Sequence, residues 1–136
     1  MSKATFPKSQ RLYLNSHKER VFSSRTGFVA YPFKVVYACG KEIDMLAPVE
    51  LLVSVPKKRL KHAVDRNLVK RRTKEAYRLH KNELLAQAEK SFGLLVAFLY
   101  IGDGISSYSA IEQGVKKALR KLTEVCRSLE RKEETE

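Results

Sequence analysis

The sequence predicts an α+β fold, a two-layer sandwich in which helices cover one small sheet. Apolar residues alternate or run unbroken over 28–39, 49–55 and 93–101, the mark of strands. Over 59–80 and 109–131 they recur at three- and four-residue steps, the mark of helices. The length of 136 residues and a hydrophobic content of 43% suit a single domain spanning 1–136. Such a chain buries about two-thirds of its unfolded surface.

In chain order, 1–8 is expected as a loose arm and 10–22 as a first helix, with Leu14, Val21 and Phe22 among its apolar positions. The stretch 28–39 reads as one strand with Val29, Tyr31, Phe33, Val35, Tyr37 and Cys39 on one face. Pro32 cannot donate to a ladder, so the start of that strand is an edge or irregular. A connection over 40–48 leads to a second strand, 49–55, with Leu51, Val53 and Val55 on one face. The long helix 59–80 shows Leu60, Ala63, Val64, Leu68, Ala76 and Leu79 as its apolar positions, and 82–90 continues as a short separate helix. The unbroken apolar run 93–101 suits a strand covered on both faces. After a turn at 102–107, Ser109 and Glu112 form a capping box. They open a helix to about 131, whose stripe of Ile111, Val115, Ala118, Leu119, Leu122, Val125, Cys126 and Leu129 packs on the sheet. The tail, 131–136, is polar and expected to fray.

Charge is distributed unevenly. Eleven of the 26 residues over 56–81 are Lys or Arg against Asp65 and Glu75, so this stretch carries +9 of the chain's +12. Arg66, Lys70, Lys74 and Arg78 make one i,i+4 rail along the helix, with Asn67 and Arg71 on the next row. The three neighbouring like-charge pairs on the rail cost roughly 0.6–1.5 kcal/mol together. Asp65 after Lys61 and Glu75 after Arg71 give the local relief. A polyphosphate laid along the rail removes the repulsion. Lys57, Lys58 and Arg59 stand at the strand-to-helix junction, where free N–H groups and the helix dipole favour an anion. Arg supplies planar forks for phosphate, and Asn67 a neutral donor and acceptor that can fix register. A solvated basic face without a partner is the alternative that charge alone leaves open.

At these residues the chain resembles the bacterial ribonuclease P protein component. Leu60, Ala63, Arg66, Asn67, Val69, Lys70, Arg71 and Lys74 stand at the spacing of that family's signature helix. Ser54, Val55, Pro56, Lys57 and Lys58 match its strand end, and Glu75 and Arg78 its continuation. Leu68 replaces a frequent second Arg. The family's opening is similar to Phe6, Lys8, Arg11 and Leu12. Of the two aromatics it carries on the first helix, Phe22 matches the second, while the first falls on Lys18. The resemblance implies a ribosomal protein S5 domain 2-like fold with a left-handed strand–helix–strand crossover, against the general right-handed rule. It also implies a role: the RNA-binding subunit that assists a catalytic RNA in removing the 5′ leader of precursor tRNA and lowers the Mg²⁺ requirement. Lys57, Lys58, Arg59, Arg66, Asn67, Lys70, Arg71, Lys74 and Arg78 would then bind RNA, and Phe22 and Tyr37 would line a cleft for the leader.

No catalytic or metal site is expected in the polypeptide. Asp44, Asp65, Glu75 and Asp103 are scattered, and His17, His62 and His80 lack ligand spacing and read as surface or junction residues. Ser106, Ser107 and Ser109 suit helix initiation. The implied Mg²⁺ belongs mainly to the RNA. The implied partners are the catalytic RNA and precursor tRNA, with no membrane and no obligatory protein partner. Cys39 and Cys126, two isolated thiols, and the lack of a signal-like apolar run predict a cytoplasmic protein. Two other classes fit the charge: a structural ribosomal RNA-binding protein, and a DNA-binding regulator, which lacks the helix–turn partner it would need upstream.

Overall fold

The computed structural model describes residues 10–12, 14–40, 44–90 and 93–135. The elements run α1 (Asn15–Ser23), β1 (Gly27–Ala30), β2 (Phe33–Cys39), β3 (Val49–Ser54), α2 (Ala63–His80), α3 (Asn82–Ala88), β4 (Leu94–Tyr100) and α4 (Tyr108–Thr135). The sheet order is β1-β2-β4-β3. β2 is antiparallel to both β1 and β4, and β3 runs parallel to β4. The parallel pair requires a crossover, which α2 and α3 supply.

Alternation along β4 divides the core. Leu94, Val96, Phe98 and Tyr100 join Val69, Ala76 and Tyr77 of α2 and Ile111, Val115, Ala118 and Leu122 of α4 in the main cluster. Leu95 and Ala97 point the other way, to Val21 of α1, Leu12 and Ala38. The helical layer on one face and the short α1 on the other cover β4 from both sides, which is why its sequence is apolar throughout.

Four elements differ from the sequence expectation in their boundaries. The stretch 28–39 is a hairpin: β1 and β2 turn at Tyr31 and Pro32, and Ala30 pairs with Phe33. Alternation survives the two-residue turn, so its pattern mimics a continuous strand. Val29 pairs with Lys34 and is 58% exposed, while Val35 is buried on the opposite face. α1 begins at Asn15, because 10–12 instead runs beside β3, with the Leu12 N–H donating to the Leu51 carbonyl at 2.9 Å. α2 begins at Ala63; before it, the Arg59 and Leu60 N–H groups close a turn on the Pro56 carbonyl at 3.0 and 3.2 Å. α4 is capped by Ser107, whose Oγ accepts from the Ala110 N–H at 3.1 Å, so Ser109 and Glu112 form no capping box. The helix then runs on to Thr135, beyond the expected end. The arm expected at 1–8 lies outside the described residues.

The rotation of α2 also differs. Its buried residues are Val69, Thr73, Ala76 and Tyr77, while Val64 is 78% exposed and Leu79 47%. His17 is no surface histidine. It is buried, with Nδ1 2.8 Å from Oε1 of the fully buried Glu50, and the Leu46 N–H donates to the other Glu50 oxygen at 3.0 Å. This pair ties α1 to β3. Cys39 and Cys126 are free thiols, and burial, with Cys39 nearby, pushes the Cys126 thiol up to about 12.

Gly114 lets α4 approach the hairpin turn. A Cβ there would stand 2.7 Å from the Tyr31 carbonyl oxygen and 2.8 Å from Pro32 Cδ. Helix propensity alone favours Gly114→Ala by about 1 kcal/mol. The contact reverses that sign, so urea unfolding should show a lower midpoint for the variant; a higher midpoint would contradict the packing.

Candidate nucleic-acid interface

Once Val69, Thr73, Ala76 and Tyr77 turn inward, the residues opposite them face water. Asn67, Lys70, Arg71, Lys74, Glu75 and Arg78, joined by Arg11 from the segment beside β3, line an open hollow of about 380 Å³. Six of the seven are cationic or neutral donors. Arg11 is brought here by the short bridge with Leu51, far from α2 in sequence. Its place in the family's opening was the only sequence signal for it.

Lys74 responds to both burial and its charged neighbours in the hollow. Partial burial, then the fields of Arg11 and Lys70, hold the Lys74 ammonium below the usual lysine range. Glu75 is the single acid. It pairs with Arg78 rather than with Arg71: Arg78 Nε donates to Glu75 Oε2 at 3.1 Å, and Nη2 donates to Oε1. That hydrogen bond keeps the Glu75 carboxyl below its ordinary value. Arg71 is left without a carboxylate partner among the described residues. Arg78 is thus partly neutralised, whereas Lys70, Arg71 and Lys74 remain net positive.

Arg66 does not lie free on the rail. Its Nη1 donates to the Leu60 and Lys61 carbonyls at 3.0 and 2.9 Å, stitching the turn before α2 to the helix. At 100° per residue it sits nearer the buried face than Lys70 does, which brings the guanidinium onto backbone. Lys57, Lys58 and Arg59 therefore sit on a turn ahead of the first helical N–H groups, not at them. Lys57 and Lys58 are exposed, and Arg59 reaches the exposed Asp103 at 3.5 Å. Two further cations are structural: Arg72 Nη1 donates to the Ser106 carbonyl at 2.7 Å, and Lys81 Nζ to Gln10 Oε1 at 2.6 Å.

The two aromatics expected in one cleft line separate hollows. Phe22, 47% exposed, borders one with Arg25, Val29, Lys34 and Val36. Tyr37 borders another with Arg20, Ser24 and Leu129, its ring packed 6.2 Å from that of Phe28. Strand alternation explains the split, since Val36 faces α1 while Tyr37 faces the main core. Among the described residues, no three His, Cys, Asp or Glu side chains gather to hold a metal ion. No helix among them is long and apolar enough to cross a membrane.

Residues 6–123 match the family model described as Ribonuclease P. The chain is 40% identical over 126 residues to the ribonuclease P protein component of Porphyromonas gingivalis, covering 89% of this chain and 90% of that one. With the ribonuclease P protein component of Chlorobaculum tepidum it shares 33% over 97 residues, 65% of this chain and 63% of the other. The fold is similar to that of the Staphylococcus aureus RNase P protein, with a TM-score of 0.66 at 23% identity, over 84% of this chain and 95% of that chain.

Because Arg11 is one of two cations depressing Lys74, Arg11→Ala should raise the Lys74 pKa toward the ordinary lysine value. NMR titration of the lysine Cε resonances reads this directly, and an unchanged or lower Lys74 midpoint would contradict the geometry of the hollow.

Proposed function

The chain belongs to the ribonuclease P protein family, the protein component of an endoribonuclease ribonucleoprotein of tRNA processing, and from that premise we propose how its surface serves the RNA. The outer face of α2 lies along the catalytic RNA subunit. Lys70, Arg71 and Lys74, with Arg11 beside them, take backbone phosphates, and Asn67 fixes register against a sugar or base edge. Arg78 contributes through whatever charge Glu75 leaves, and Arg66 by holding the turn that presents Lys57, Lys58 and Arg59. The observation that carries this is the hollow itself: five cations and Asn67 gathered on one open face with a single carboxylate among them.

The 5′ leader of precursor tRNA passes along the sheet side of the molecule. Phe22, half exposed between Arg25 and Lys34, offers a ring for stacking beside two cations, and Tyr37 lines a second hollow. Stacking of one unpaired base on such a ring contributes about 1–3 kcal/mol and tolerates any sequence.

On this reading Mg²⁺ is held mainly by the RNA subunit. The chain lowers the Mg²⁺ requirement by placing fixed positive charge where phosphates converge, work that free ions otherwise do. Cleavage chemistry stays with the RNA, and the protein contributes screening and position. On this account it works in the cytoplasm, where Cys39 and Cys126 stay reduced.

Reconstitution tests this. At low Mg²⁺, adding the chain to the catalytic RNA should accelerate removal of the precursor leader, and Lys70→Ala/Arg71→Ala should lose most of that stimulation with its thermal unfolding unchanged. Equal stimulation by the variant would remove α2 from the role.

A further inference from the structure

A second set of cations stands on α4. Lys116, Lys117, Arg120, Lys121 and Arg127 face one acid, Glu124, so 116–127 carries +4. Together with the +9 of 56–81 this exceeds the chain's +12, leaving all other residues one charge negative. The surplus therefore sits on two stretches, α2 with its flanking turns and the middle of α4. Lys116 and Arg120, like Lys117 and Lys121, are like charges four apart, an arrangement that disfavours a helix by itself.

Two nearby carboxylates are engaged with other residues, while Glu124 makes no ion pair among the described residues. Glu112 holds His80 at 3.1 Å and Glu83 holds Arg127 at 3.2 Å. Lys121 is seated over the Phe28 ring at 4.9 Å. Among the described residues Lys116 and Arg120 have no ion pair and no hydrogen bond from their side chains. Both border a hollow of about 180 Å³ where α2 ends against α3 and α4, together with His80, Leu84 and Leu119. An open hollow of that size admits a phosphate group. The hollow shares no residue with the one on the outer face of α2.

We propose that this hollow binds a backbone phosphate of an RNA segment distinct from the one lying on α2, so that the chain holds folded RNA by two helices at once. The proposal rests on the reading of the chain as an RNA-binding subunit. Arg120 supplies a planar fork for two phosphate oxygens and Lys116 a point charge beside it. His80 and Glu83, held by Glu112 and Arg127, frame the opening. The function implied is bridging: two strands that repel each other are held at the separation of the two helices.

The test uses the full chain and the catalytic RNA subunit, with binding measured across a salt series. Lys116→Ala/Arg120→Ala should make the log–log salt slope shallower by about 0.7–0.9, the share of one phosphate, and weaken binding about tenfold at fixed salt. Lys116→Gln/Arg120→Gln should do the same, and both should unfold thermally as the unmodified chain does. The losses should add to those of Lys70→Ala/Arg71→Ala, as expected for separate segments. An unchanged slope in a folded α4 variant, while the α2 variant loses slope, overturns this inference and leaves the proposed function standing. Losses that do not add mean one shared segment and also overturn it. If the unmodified chain binds that RNA without salt dependence, the underlying reading fails first.

Discussion

Val69, Thr73, Ala76 and Tyr77 must leave water, and α2 can bury them only against α4 and the sheet. Burying a side chain such as that of Val69 contributes about 1.5–3 kcal/mol, whereas each like-charge pair on the outer face costs about 0.2–0.5 kcal/mol. Burial therefore fixes the rotation of the helix, and the cations have to accept one another's company. A helix turned by its apolar residues presents Lys70, Arg71 and Lys74 to solvent whatever their mutual repulsion. The face proposed for RNA is thus set by the fold itself, which would keep the ordering cost of binding low.

The rest of the fold supports that surface. The Arg11 segment reaches α2 because 10–12 runs beside β3, and α1 behind it is held by the buried His17–Glu50 pair. Removing either partner of such a pair leaves a polar group buried without its complement, a cost of about 1–3 kcal/mol or more. Arg72 fixes the loop before α4, and Arg66 fixes the turn before α2. Arginines of one helix thereby divide between holding the protein together and facing outward. The division follows their angle to the buried face rather than their place in a motif.

Much of this was legible in the sequence. The unbroken apolar run of β4, the stripe of α4 and the basic face of α2 each came from periodicity or charge, which are local properties. What escaped was long-range or concerned phase. Alternation continued through the Tyr31–Pro32 turn, so a hairpin looked like one strand, with only Pro32 as a warning. Thr73 and Tyr77 are buried on α2 while Val64 is exposed, so counting aliphatic residues set the stripe at the wrong angle. Ser107 and Ser109 are equally good caps by composition, and only the Ala110 N–H chooses between them. His17 and Glu50 are ordinary surface residue types that meet through the packing of α1 on β3, which no local pattern encodes. The candidate interface was better foreseen than its wiring: Lys70, Arg71, Lys74 and Asn67 gather as expected, Arg66 turns to backbone, and Phe22 and Tyr37 part across the sheet.

The central claim is that the outer face of α2 is the surface RNA covers. Acetylation of lysines, read by mass spectrometry with and without the catalytic RNA subunit, tests it residue by residue. The account predicts strong protection of Lys70 and Lys74 by the RNA, with Lys90 in the turn after α3 reacting as before. Equal modification of Lys70 and Lys74 in the free and RNA-bound states would contradict it.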